Sequence, residues 1–381
     1  MENLIIIFFS IIIAIGISYQ ILSIVILKKI YSKKHKIKNL EKENYPLISI
    51  LKPIKGIDDQ LESNLKSFYN LDYPNYEIIF GLHTKEDPAL QIINNISTEF
   101  SKVKTKIVVD NYMIGLNPKI NNLYNMFPKS KGSFILISDS NTRVESNFLK
   151  SLLSEFDDKN VGLVTASIRG IGAKNIPSIF ENIHLNSFML PSVFTASRIA
   201  KISIVIGKSI LIPGKILNQI GGFEIFRNYL AEDYLMGVKV EDLGYKVKTS
   251  STFVDNINEN LTLKKFLNRH SRWAKMRAKI RLNTYLLEAF SNPIAASFVL
   301  TFLLFNNFGI IQFFAISFIK IFLDFSVLKI VKSDIKFYQL LFIPIKDLII
   351  GLIWYIPFIN SEVNWRNNIF KIRKNSLLQP I

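Results

Sequence analysis

From Leu4 to Leu27 the chain reads LIIIFFSIIIAIGISYQILSIVIL, 24 residues without a charge. A run of that length is long enough to cross a bilayer as a helix. A cleaved leader would have a shorter apolar region closed by small residues. Here the run passes directly into KKIYSKKHKIK. Lys28, Lys29, Lys33, Lys34, Lys36 and Lys38 all precede the next acid, while Met1–Asn3 carries no Lys or Arg. By the positive-inside rule the N-terminus lies outside and the chain after the span is cytoplasmic. Residues 1–30 are therefore expected to be a transmembrane anchor.

A second oily region, about 289–360, contains NPIAASFVLTFLLF and GIIQFFAISFIKIFL, which read as two spans joined at Asn306–Asn307. A third stretch, YQLLFIPIKDLIIGLIWYIPFI, carries Lys346 and Asp347 in its middle. Charges at that depth must face the bundle or the interface. Three full crossings would leave NWRNNIFKIRK outside, against the positive-inside rule, so one of the three is expected to be re-entrant or interfacial. Residues 361–381 then read as a basic tail.

The composition sets further limits. Of 381 residues 49% are hydrophobic, which suits a soluble domain joined to membrane segments. The net charge of +17 suits nucleic acid, phosphate-bearing substrates or an anionic membrane face. With no cysteine, disulfides, zinc–thiolate sites and thiol nucleophiles are excluded, and four His make a multi-histidine metal site an unlikely design.

Between 45 and 287 the pattern changes to alternating strands and helices. LISIL (47–51), EIIFGL (77–82), KIVVD (106–110), FILIS (134–138) and VGLVTAS (161–167) are short, β-branched and bounded by polar or turn residues. Between the first two, Leu61, Leu65 and Phe68 share a helical face behind Asp58 or Asp59 as N-cap. Before the third, DPALQIINNISTEF places Pro88 at a helix start. This alternation predicts an α/β fold with a doubly wound, mostly parallel sheet. No G-x-G-x-x-G follows the first strand. Gly207-Lys208-Ser209 has Ile202 where a phosphate-binding loop needs its first glycine. Both common nucleotide motifs fail.

What remains is four sites in order. Asp87 follows a strand, precedes Pro88 and would cap a helix whatever its function. Asp139 follows FILIS, where ligands of open α/β sheets bind, although Asp also opens turns. Glu232 and Asp233 open a helix, where acids complement its dipole. Arg269, Arg272, Lys275, Arg277, Lys279 and Arg281 make a basic helix of the kind found at membrane surfaces. The stretch IPSIFENIHLNSFMLPSVFTASRIA (176–200) is amphipathic and fits either a lipid entrance or a plain core helix, with His184 structural.

In combination, Asp87, Asp139, Asp233 and Arg269-x-x-Arg272-Trp273 make a D, D, D, (R/Q)xxRW arrangement. LKPIKG (51–56), LDYPNYEI (71–78), EDPA (86–89), GLNPKINNL (115–123), DSNTRV (139–144), AEDYLMG (231–237) and RHSRWAKMR (269–277) resemble the ceramide glucosyltransferase family. That family comprises membrane-bound inverting transferases and includes bacterial members acting on ceramides or hopanoids.

The resemblance implies a GT-A type domain over 45–287, held between the N-terminal anchor and the C-terminal membrane helices. It implies a UDP-hexose donor, glucose foremost, and a membrane lipid acceptor, with no nucleic-acid partner and a bacterial inner-membrane location. Asp233 would be the general base. Asp87, Lys119, Asp139, Arg269 and Arg272 would bind the donor, Asp87 on the uridine side, and Trp273 would wall the acceptor pocket. Asp139 would hold Mg2+ or Mn2+, with Asn141 standing where D-x-D has its second acid. A hopanoid or diacylglycerol acceptor, or a processive polysaccharide synthase with the same four sites, stays open. A membrane-anchored scaffold would keep the basic face but need no acid at 233.

Overall fold

The computed structural model describes residues 2–32, 45–365 and 368–381. Helix α1 (Glu2–Tyr31) comes first. Strands and helices then alternate: β1 (Ile48–Pro53), α2 (Leu61–Tyr69), β2 (Tyr76–Leu82), α3 (Ala89–Glu99), β3 (Lys104–Val109), α4 (Pro118–Met126) and β4 (Phe134–Ser138). Next come β5 (Thr142–Arg143), α5 (Phe148–Leu153), β6 (Val161–Ile171), α6 (Ile176–His184) and α7 (Leu190–Thr195). Widened π turns follow both α6 and α7. After β7 (Ser209–Pro213), α8 (Gly214–Gln219), α9 (Glu232–Asp242) and β8 (Lys246–Ile257), the chain is helical through α10 (Leu263–Ile280), α11 (Leu282–Leu287), α12 (Pro293–Leu304), α13 (Asn307–Ile330), α14 (Ile343–Ile353) and α15 (Ile356–Ile359). It closes with β9 (Glu362–Trp365), β10 (Asn368–Ile372) and β11 (Leu378–Pro380).

These elements form two compact units. One comprises Lys33–Arg169 and Ala196–Ile257; the other comprises Met1–Ser32, Gly170–Thr195 and Asn258–Ile381.

The first unit is built on an eight-stranded sheet of order β3-β2-β1-β4-β7-β6-β8-β5. β3, β2, β1 and β4 are parallel; β7 returns antiparallel to β4 and to β6. β1 is buried at every position, as a strand covered on both faces must be. Alternation then sorts its side chains. Ile48, Ile50, Ile78, Phe80 and Leu136 join Leu65, Phe68, Ile93 and Phe148 on one face. Leu51, Ile79, Ile135 and Ile137 join Ile120, Leu123, Leu217 and Met236 on the other. All five expected strands form, with ends moved by a few residues. Between β1 and β4 the strand order reverses, and the crevice beyond their carboxyl ends is where such sheets bind ligands.

The expected cap of α2 is corrected. The N-cap residue is Gln60, in the left-handed region at φ 52° and without a side-chain cap bond. Asp58 instead accepts a hydrogen bond from Ser140 Oγ.

The second unit holds three helices long and apolar enough to cross a membrane: Glu2–Tyr31, Asn307–Ile330 and Phe337–Ile359. A bent pair, Leu282–Ser291 with Pro293–Leu304, meets at 68° and would make a fourth. Lys28 and Lys29 end α1; Lys33, Lys34, Lys36 and Lys38 lie outside the described residues. Asn306 caps α13, its Oδ1 accepting from Gly309 N–H, so the Asn306–Asn307 junction turns the chain as expected. Lys346 and Asp347 face the bundle: Asp347 pairs with Lys346 and with Lys320, which in turn pairs with Asp324. The stretch read as a basic tail is folded, with β9, β10 and β11 forming an antiparallel sheet.

Candidate active site

Asp139 stands at the carboxyl end of β4, beside β1. Its Oδ1 lies 3.0 Å from Lys119 Nζ and its Oδ2 lies 3.0 Å from Lys208 Nζ. Burial disfavours its charge, but the two ammonium groups prevail and hold the carboxyl well below the usual carboxylate range. A third lysine supports the loop from beneath. Lys52 of β1 is fully buried, donates to the Asp139 carbonyl at 2.9 Å and lies 3.5 Å from the centre of the Phe68 ring. Burial pushes the Lys52 ammonium well below its ordinary pKa.

Lys119 reaches this place because Asn117 and Pro118 start α4 there. The Asn117 side chain accepts from the Lys119 and Ile120 N–H groups, and Pro118 needs no N–H partner at the first helical position. Lys119 Nζ also lies 3.3 Å from Glu232 Oε1 and donates to the Gly207 carbonyl at 2.9 Å. Burial opposes its charge, yet Asp139, Glu232 and Asp233 raise its pKa above the ordinary lysine value.

Asp233 follows Glu232 in the first turn of α9. Its Oδ2 accepts from the Gly207 N–H at 2.8 Å and its Oδ1 from the Tyr234 N–H at 2.8 Å. Burial, then the neighbouring Glu232 charge, push its carboxyl up to about 7, against Lys119 and the two N–H donors. Gly207 permits the approach, since a Cβ there would lie 2.7 Å from Asp233 Oδ2. A carboxyl group poised near neutrality beside a group of lysines can take a proton from one reactant and neutralise an anion on another.

Asp139, Lys119 and Asp233 are thus brought together around the Gly207–Lys208 loop, which sequence reasoning tested only as a phosphate-binding loop and set aside. The Gly-Lys pair itself was the available signal, a glycine for close approach and a cation beside it. Asp87 serves another loop of the same unit. It accepts from the Gly56 N–H at 2.9 Å and from the Ala89 N–H at 2.9 Å, which ties the end of β1 to the start of α3. Among the described residues no group of three or more His, Cys, Asp or Glu is arranged to hold a metal ion.

Arg269, Arg272 and Trp273 lie on α10, in the other unit. Arg269 Nη1 donates to Glu181 Oε1 at 2.7 Å, and His270 Nε2 lies 2.8 Å from Glu181 Oε2. Glu181, on α6, is fully buried. Burial opposes its charge, but Arg269 and His270 bring its carboxyl down to about 2. His270 packs edge-on against His184 and Trp273. Sequence reasoning passed over Glu181, since one acid on an amphipathic helix reads as part of its polar face.

The sequence pattern of glycosyl transferase family 21 matches residues 8–378. Ceramide glucosyltransferase 3 of Caenorhabditis elegans is 26% identical over 359 residues, covering 92% of this chain and 77% of that protein. Ceramide glucosyltransferase 1 of the same organism is 24% identical over 366 residues, 94% of this chain and 78% of that one. Among solved structures, a mannosyltransferase from Pyrobaculum calidifontis in complex with GDP-Man and Mn2+ is 13% identical and has a TM-score of 0.53, over 94% of this chain and 98% of that chain. That likeness carries the fold alone, and with the sheet described above it bears out the expected GT-A type architecture. The resemblance to ceramide glucosyltransferases is borne out as well. The chain belongs to glycosyl transferase family 21.

Proposed function

We propose that this glycosyltransferase is an inverting enzyme that moves a hexose, glucose foremost, from a UDP-sugar to the hydroxyl of a membrane lipid. The observation that carries the reading is that Asp233, pushed up to about 7, and the two lysines paired with Asp139 meet at the Gly207–Lys208 loop. Asp233 removes the proton of the acceptor hydroxyl. The hydroxyl oxygen bonds to the anomeric carbon from the face opposite the leaving group, and the bond from that carbon to the diphosphate oxygen breaks. UDP departs with the bonding pair, and Lys119 and Lys208 offset its developing charge. No covalent intermediate on the protein is required. The apolar helices of the second unit and the similarity to ceramide glucosyltransferases support a lipid acceptor, ceramide first and a hopanoid or diacylglycerol next.

Asp139 Oδ2 and Asn141 Oδ1 converge on one ammonium, so a pair of hard oxygen donors already faces a single cation. That donor set fits Mg2+ or Mn2+, which Asp139 and Asn141 would hold. When bound, the ion neutralises charge on the diphosphate. Asp87 serves the uridine side, Arg269 and Arg272 the diphosphate, and Trp273 the acceptor. These last roles rest on the motif resemblance.

The test is to incubate UDP-[14C]glucose with membranes containing the protein and extract the lipids. Label is expected in a lipid that survives mild alkali, as an amide-linked ceramide does and an ester-linked diacylglycerol product does not. Label in insoluble polymer would establish a polysaccharide synthase instead. Label in neither fraction, with the protein folded, would overturn the donor or the acceptor assignment.

A further inference from the structure

Asn141 follows Asp139 by two residues, so the pair offers two oxygens and only one negative charge. Both oxygens already serve a cation: Lys208 Nζ lies 3.0 Å from Asp139 Oδ2 and donates to Asn141 Oδ1 at 2.7 Å. Lys119 sits on the other carboxylate oxygen at 3.0 Å. One carboxylate thus faces two ammonium groups. Lys119 is shared with Glu232 at 3.3 Å, whereas Lys208 sits on both oxygens of the pair, so a divalent cation reaching them must displace the Lys208 ammonium, and it gains two protein oxygens where Mg2+ or Mn2+ wants six ligands.

Lys208 is well placed for the resident role. Its loop is anchored at both ends of the site: the Gly207 N–H binds Asp233, and the Lys208 carbonyl accepts from the Asp139 N–H at 3.4 Å. The side chain itself is a flexible stem, 24% exposed, so its ammonium can leave the pair without moving the backbone.

On the reading that this pair faces the donor's diphosphate, we propose that Lys208 determines the metal dependence of the enzyme: its ammonium is the built-in counter-cation of Asp139 and Asn141 and competes with a divalent ion for them. Two consequences follow from that competition. Metal binds weakly until the negative charges of a diphosphate arrive. The diphosphate itself is held in part by lysine, so its binding depends on metal less than it would with a neutral residue at 208.

The experiment uses the full-length chain in detergent. Binding of Mn2+ is read from the electron paramagnetic resonance signal of the unbound ion, and binding of UDP by calorimetry with and without Mn2+. Lys208→Met is expected to tighten Mn2+ binding in the absence of nucleotide by about five- to tenfold. It should also widen the ratio between UDP affinities measured with Mn2+ and with chelator by a similar factor. Lys208→Gln, closer in polarity, should do the same, and Lys208→Arg should behave as the unaltered protein. Thermal unfolding shows that each variant is folded. If Asp139→Asn weakens Mn2+ binding while neither neutral variant at 208 changes it, the role of Lys208 is overturned and the metal assignment stands. If Asp139→Asn changes neither Mn2+ nor UDP binding, the underlying reading of the site fails, and the competition with it.

Discussion

Asp233 accepts two backbone N–H bonds, which favour its charged form, and still sits near neutrality, because burial and Glu232 outweigh them. A general base works best when its pKa lies near the working pH, and this balance supports the proposed role of Asp233. Asp233→Asn keeps the size and one acceptor but cannot take the proton. Turnover should fall about 100-fold or more with UDP binding retained, and equal turnover would remove Asp233 from the role. The pH profile is a second, independent check. Only the carboxylate is active, so kcat/KM should rise with pH through about 7. Lys119 favours that carboxylate, so Lys119→Met should move the rising limb to higher pH. Glu232 repels it, so Glu232→Gln should move the limb to lower pH. Shifts of the same sign in both variants would contradict the assignment. The three acids were legible in the sequence because each follows a strand or opens a helix. The network joining Asp139 to Asp233 was not, because Lys208 lies some 69 positions from Asp139 and the β4–β7 pairing brings the loop back.

Helix α10 shows what a helix can reveal from spacing and what it cannot. Arg269, Arg272 and Trp273 fall at i, i+3 and i+4, which places them on one face. What holds that face is a carboxylate from α6, invisible to local pattern. Glu181 pairs with the Arg269 guanidinium and hydrogen-bonds the His270 imidazole in a fully buried position. Removing one member of such a set leaves the rest buried without a counter-charge, at a cost of about 3 kcal/mol. Glu181→Leu should therefore lower the thermal unfolding temperature in detergent clearly. Glu181→Gln, which keeps an acceptor, should lower it less. Unchanged melting in both would show that the pair contributes nothing. The other departures from expectation have similar causes. The stretch 176–200, read as a lipid entrance or a plain core helix, is broken up: Pro191 has no N–H to give, and a π turn precedes α7. The C-terminal strands, EVNW, NIFKI and LQP, are too short to stand out as strands in sequence, and their pairing with one another defines them.

At the scale of the whole molecule, the number of membrane crossings follows from two hydrogen bonds. Asn268 Nδ2 donates to the Asn364 carbonyl at 3.2 Å, and Lys275 Nζ donates to the Glu362 carbonyl at 2.5 Å. They join α10, which precedes α12 and every later membrane helix, to β9, which follows all of them. The two ends of the intervening chain are therefore expected on one face of the bilayer, with an even number of crossings between them. α12 and α13 form a hairpin about the Phe305–Asn306 turn, with Thr301 Oγ1 donating to the Gly309 carbonyl and Gln312 Nε2 to the Ser297 carbonyl. Of the three apolar stretches after α11, an odd one must re-enter or lie in the interface. An even count would remove the conflict with the positive-inside rule, placing Lys371, Arg373 and Lys374 on the side of Lys28 and Lys29. The chain has no cysteine, so single cysteines report sidedness without background. Lys264→Cys on α10 and Lys371→Cys on β10 replace exposed residues. A membrane-impermeant maleimide should label both from the same side: neither in sealed right-side-out vesicles, both in inverted ones. Asn3→Cys should show the opposite pattern. Labelling of position 371 from the side opposite to 264 would mean an odd number of crossings and overturn the even count. Labelling of both from outside would keep the count and reverse the orientation.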